Sequence, residues 1–93
     1  QRTESLAELR KQIDECDNMI IDILSKRMRV AREIGMFKKE HNMTILQSGR
    51  YAEILEKRGA QGALCGISSS CVKTIFEAIH EASVHQQMEL INK

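Results

Sequence analysis

Apolar residues recur at helical spacing along most of the chain, and the phase of that recurrence sets out its elements. Leu6, Leu9, Ile13, Cys16, Ile20, Ile23, Leu24, Val30, Ala31, Ile34 and Phe37 keep one helical period. Ser5 with Glu8 forms a capping box ahead of this run, Thr3 is a second candidate cap, and Asn42 is a stop. Within the run only Gly35 interrupts strong helix formers, and the sequence has no proline. A first helix from Ser5 to about Glu40 is therefore predicted. Asn42 to Ser48 reads as a short connection. Tyr51, Ile54 and Leu55 mark a second helix that begins at Ser48 or Gly49 and ends by Gly59. Gly59, Gly62 and Gly66 make the stretch between them a predicted turn. A third helix starts in the run Ser68-Ser69-Ser70 and continues to about Asn92, with Val72, Ile75, Phe76, Ile79, Leu90 and Ile91 on one face. No stretch alternates polar and apolar residues for long enough to form a strand. The expected fold is all-α, with one long, one short and one medium helix.

The length of the first helix carries a further consequence. About 36 residues of helix extend about 54 Å, whereas a compact domain of this size has a radius of gyration near ~12 Å. The helix must then reach beyond its own globule, and its apolar stripe needs a cover there. Two copies packed along their long helices supply one, giving an intertwined helical homodimer. A kink at Gly35 or Asn18 is the alternative.

The stripe has one exception that changes its meaning. Leu6, Ile13, Ile20, Arg27, Ile34 and His41 are spaced by seven and lie nearly one above another. Arg27 thus puts a permanent cation where the pattern asks for an aliphatic side chain. Lys38 follows one turn after Ile34, about 20° round the helix from Arg27. Cations on a buried stripe are costly unless something negative meets them. The third helix repeats the exception in neutral form: Phe76, Ile79, Ser83, Gln87 and Leu90 share a face, and the inward hydroxyl and amide need hydrogen-bond partners. Pointed at Arg27 and Lys38, Ser83 and Gln87 complete a polar pocket for a small anion. Arg10 lies about 100° round from Arg27 and suits the pocket of a partner chain. Taken singly, each residue has a plainer reading: Arg27 snorkelling, Lys38, Arg10 and Arg50 solvated or paired with nearby acids, Ser83 and Gln87 tied to each other or to backbone.

Composition narrows the function classes. With 14 basic and 13 acidic residues the net charge is +1, which lacks the basic excess of a nucleic-acid or membrane-surface binder. Phe37, Tyr51 and Phe76 are the only aromatic residues, too few for a base-stacking platform. Cys16, Cys65 and Cys71 form neither a disulfide framework nor a zinc-ligand pattern, so no metal is expected and a reducing, cytoplasmic setting is the default. No apolar run is long enough to span a bilayer. His80 and His85 lack base or nucleophile spacing and read as ordinary helix residues. Without a nucleophile beside a base, paired inward carboxylates or a phosphate loop, an enzyme built this way works by positioning and electrostatics, with no cofactor.

At these residues the chain resembles the all-α chorismate mutases, along nearly its full length. Leu9-Arg10 is similar to the family's early arginine, which reaches into the other subunit's site. Ser25-Lys26-Arg27 resembles the arginine that binds a substrate carboxylate, and Glu33-Ile34-Gly35 followed by Lys38 resembles the pattern that sets a lysine on a carboxylate and the ether oxygen. Arg50 matches the arginine that opens the second helix. Glu81-Ala82-Ser83 through Gln86-Gln87 is similar to the closing motif, with a serine at a carboxylate and a glutamine at the ether oxygen. The family often carries an Asp and a Glu between and at the start of the first two helices, as contacts to the substrate hydroxyl. Here they fall on Gln47 and Tyr51, which can still accept a hydrogen bond. The resemblance implies rearrangement of chorismate to prephenate in aromatic amino-acid biosynthesis, with Lys38 and Gln87 catalytic and Arg10, Arg27, Gln47, Arg50, Tyr51 and Ser83 binding the dianionic substrate in a homodimer. It makes residues 1–93 one mutase domain. A start at Gln1 fits a segment cut from a longer chain, and the resemblance is nearest to mutase domains fused to a bacterial 3-deoxy-7-phosphoheptulonate synthase. Rival expectations are an isochorismate pyruvate-lyase-like enzyme and a non-catalytic helical dimerisation or regulatory domain, in which the inward polar residues pair among themselves.

Overall fold

The computed structural model describes residues 5–91. Three α-helices follow in order: α1 Leu6–Glu40, α2 Ser48–Leu64 and α3 Ser69–Ile91, with no strand among the described residues. The all-α expectation holds, as does a first helix that stays helical at both Asn18 and Gly35. Thr3 and Asn92 lie outside the described residues. The chain divides into two compact units, Gln1–Val30 and Ala31–Lys93.

Local chemistry explains where the helices begin and end. The Glu8 amide donates to Ser5 Oγ at 3.2 Å, the capping half of the predicted box. At the other end of α1, Asn42 takes φ 53°, the left-handed region that an asparagine tolerates. The Met43 amide reaches the Lys38 carbonyl at 2.8 Å and the Asn42 amide the Lys39 carbonyl at 3.4 Å, a Schellman closure that stops the helix. For α3 the capping serine is Ser68, whose Oγ accepts from the Cys71 amide at 3.4 Å.

The first unit is α1 from Leu6 to Val30, and its apolar stripe is uncovered. Ile13 and Ile23 are 60% and 63% exposed, and none of its described residues is buried.

The second unit holds the C-terminal end of α1 with α2 and α3. Its buried positions are Ala31, Gly35, Gly59, Gly62, Val72, Ser83 and Gln87. Lys39 Nζ donates to the Leu90 carbonyl at 3.1 Å, tying the end of α1 to the end of α3. Here one expectation is overturned. The second helix does not end at Gly59; it runs through Gly59 and Gly62 to Leu64. Both glycines are buried where α3 packs. A Cβ on Gly59 would stand 2.9 Å from Ser69 Oγ, and one on Gly62 would collide with Val72. They are a seam for close helix approach, and the turn falls to Gly66 at φ 82°.

Candidate active site

The expected polar pair of α1 and α3 meets in the second unit. Lys38 enters from the last turn of α1 and Gln87 from the buried face of α3. Lys38 Nζ donates to Gln87 Oε1 at 3.2 Å and to the Ile45 carbonyl at 2.8 Å. An ammonium offers only donors, so the amide atom facing it is the oxygen. Gln87 Nε2 is thereby left as a donor that the lysine does not engage, and the third N–H of Lys38 has no partner among the described residues. The pair therefore presents two donors, one charged and one neutral, to whatever lies in front of it. Partial burial holds the Lys38 ammonium below the ordinary lysine pKa of 10.5.

Ser83, one turn before Gln87, is buried on the same face, and its Oγ donates to the Ile79 carbonyl at 2.9 Å. Tyr51, in the first turn of α2, is half-buried and stacks on His80 of α3, with ring centroids 3.8 Å apart and planes 17° from parallel. Partial desolvation and then the charges of Glu77 and Glu81 raise the Tyr51 phenol above its usual value. It remains a neutral hydroxyl at physiological pH. Leu46, Tyr51, Glu77, His80, Glu81 and Val84 line an open hollow beside these helices. His80 is the residue that sequence reasoning set aside. Its signal was its spacing: it stands three residues before Ser83 and seven before Gln87, on the face already singled out.

The remaining candidates have other local surroundings. Gln47 is the N-cap residue of α2 but makes no capping bond there; its Nε2 donates to the Thr44 carbonyl at 3.3 Å. Arg50 is exposed and pairs with Glu53 at 3.6 Å, the plainer of its two readings in this conformation. Arg10 and Arg27 belong to the first unit, where Arg10 is exposed and Arg27 half-buried. Among the described residues no cluster of His, Cys, Asp and Glu is arranged to hold a metal ion.

Comparison with known proteins gives the family. The family described as chorismate mutase type II matches residues 9–88. A bifunctional chorismate mutase/prephenate dehydratase of Aquifex aeolicus is 43% identical over 89 residues, covering 96% of this chain and 22% of that protein. The T-protein of Haemophilus influenzae is 28% identical over 73 residues, 78% of this chain and 19% of its own length. A 4-amino-4-deoxychorismate mutase of Streptomyces pristinaespiralis is 26% identical over 77 residues, 83% of this chain and 60% of its own. The chain thus spans about a fifth of the first two relatives. With three helices, a lysine–glutamine pair at their buried face and a family match from the early arginine to past Gln87, the chain belongs to the chorismate mutase type II family, a family of isomerases.

Proposed function

We propose that this domain rearranges chorismate to prephenate. The observation that carries the proposal is the Lys38–Gln87 pair, in which the lysine engages the amide oxygen and leaves the amide nitrogen to donate elsewhere. The reaction is unimolecular: the ether C–O bond breaks as a new C–C bond forms, and negative charge builds on the ether oxygen. The charged donor of Lys38 and the neutral donor of Gln87 meet that oxygen and strengthen as its charge grows, which is transition-state stabilisation without a covalent intermediate. Arg27 binds one carboxylate of the dianion, Arg50 and Ser83 bind the other carboxylate, and Gln47 and Tyr51 meet the ring hydroxyl. Holding the enolpyruvyl arm over the ring supplies the near-attack geometry. The test is to mix purified protein with chorismate, follow loss of the diene absorbance and identify the product. Formation of prephenate is expected; pyruvate released from isochorismate in a parallel assay, with chorismate left intact, would point to the lyase, and unchanged chorismate would overturn the reading.

The non-catalytic reading also has an observation in its favour. Ser83 bonds to its own helix and Lys38 pairs with Gln87, as expected of inward polar groups that satisfy one another. The two donors left over favour the enzyme, and the same assay separates the two.

The domain acts as a homodimer, with Arg10 of each copy completing the other's site; the uncovered stripe of the first unit supports this. It works as one module of a longer cytoplasmic polypeptide, fused to a 3-deoxy-7-phosphoheptulonate synthase. The exposed, unpaired thiols of Cys16, Cys65 and Cys71 suit a reducing compartment. An immunoblot of source cells should show a band far larger than this chain, and a band of 10.6 kDa would rule the fusion out.

A further inference from the structure

Gly35 is a weak point in α1 for which the helix itself offers no reason. Glycine is a poor helix former, and Gly35 is not among the residues with positive φ. Backbone freedom therefore does not account for it. Its surroundings do. A Cβ at position 35 would stand 2.9 Å from Gln87 Cγ, 3.2 Å from Gln87 Cβ and 3.2 Å from Leu90 Cδ1. Lys38, three residues on and on the same side of α1, holds the head of that same side chain through Oε1. One stretch of α1 thus grips Gln87 at both ends, the stem against a bare backbone and the amide on an ammonium.

We propose that Gly35 is a positioning residue for Gln87: its missing side chain lets the glutamine stem lie against α1, so that the amide oxygen reaches Lys38 and the amide nitrogen is left to donate. The inference rests on the chorismate mutase reading given above. The three neighbouring atoms differ in how far they can give way. Leu90 Cδ1 is the far end of a flexible side chain and can move aside. Gln87 Cβ is carried by the α3 backbone and cannot rotate away. Gln87 Cγ can escape a new methyl group only by changing χ1, which in a helix leaves a single other favourable well. That rotation swings the amide off Lys38. Gly35 touches no reacting atom, so its effect on the reaction passes through Gln87.

The test is a double-mutant cycle on the full chain: wild type, Gly35→Ala, Gln87→Ala and the double variant, each assayed on chorismate and checked for helicity. Gly35→Ala should lower kcat about 10- to 100-fold, the scale of a displaced catalytic group, with a much smaller change in KM. In the Gln87→Ala background, where Cγ is gone, the same substitution should cost less than about 3-fold, the two sites being coupled. Additive losses would overturn the proposal, as would a Gly35→Ala enzyme with wild-type kcat. If Gly35→Ala unfolds, recovery of the fold in the double variant supports the steric coupling, and an unfolded double variant overturns it. A second readout needs no turnover: the Gln87 side-chain amide resonances, assigned by their loss in Gln87→Ala, should shift in Gly35→Ala. Unchanged resonances sink the inference. A wild type that leaves chorismate untouched sinks the functional reading alone, because the resonance test still decides the role of Gly35.

Discussion

Lys38 and Gln87 divide one task between a titratable donor and a neutral one, so pH separates them. Burial depresses the Lys38 pKa below 10.5. Where the folded pKa is the lower, the unfolded chain binds more protons between the two values, so this group's contribution to stability rises with pH across that window. Catalysis runs the opposite way, because only the ammonium donates to the ether oxygen. The expected outcome is an alkaline loss of kcat/KM centred below pH 10.5, with the helical signal followed in parallel to separate it from unfolding. A profile flat to pH 10.5 would remove Lys38 from the reaction. Gln87→Glu replaces the neutral donor with a carboxyl that donates only when protonated. It should be nearly inactive at neutral pH and recover as pH falls; profiles parallel to wild type would mean Gln87 does not face the breaking bond. Lys38 lowers the glutamate's pKa while a bound dianion raises it. Arg27→Ala should cost activity through both binding and turnover. Removing one side of a desolvated charge pair costs about 2–5 kcal/mol, or roughly 30- to 5000-fold. A variant of near-normal activity would leave Arg27 a merely structural cation.

At the scale of elements, α2 shows how identical residues act in opposite senses. Gly49 has nothing within 4 Å of a would-be Cβ, whereas Gly62 lies against Val72. Gly49→Ala gains helix propensity at no steric cost and should stabilise by a few tenths to about 1 kcal/mol. Gly62→Ala makes the same local gain but drives a methyl into the α2–α3 seam, and should destabilise by about 1–3 kcal/mol net of it. Thermal melts of the two variants test both signs; equal shifts would mean the seam does not exist. The caps belong to this scale too. Ser5 and Asn42 were legible as boundary residues because capping is local chemistry, while the run Ser68-Ser69-Ser70 was legible as a helix start and the fold chose Ser68 from it. The end of α2 was not legible, because two helix-seam glycines followed by a turn glycine look the same in sequence as a glycine-rich turn.

For the whole molecule the deciding feature is the first unit, where Leu6, Ile13, Ile20 and Ile23 stand exposed along one stripe. Burying such side chains stabilises by about 1.5–3 kcal/mol each, so a second copy covering the stripe has a large driving force. Light scattering at micromolar protein should give twice the chain mass, and the melting temperature should rise with concentration. A stable, fully active monomer would sink the dimer and take Arg10 out of the site.

From its sequence alone this protein could be read as three helices with their starts, the uninterrupted α1, the inward polar face of Ser83 and Gln87, and the family, because periodicity, caps and residue identity are local properties. Three things were decided only in the folded chain. Gly59 and Gly62 became a packing seam, since a glycine's lack of a side chain has no meaning until a neighbour occupies the space. The Ile45 carbonyl became a partner of Lys38, and backbone atoms carry no letter in a sequence. His80 joined Tyr51 in a stacked pair, because two rings 29 positions apart meet only when α2 and α3 have packed.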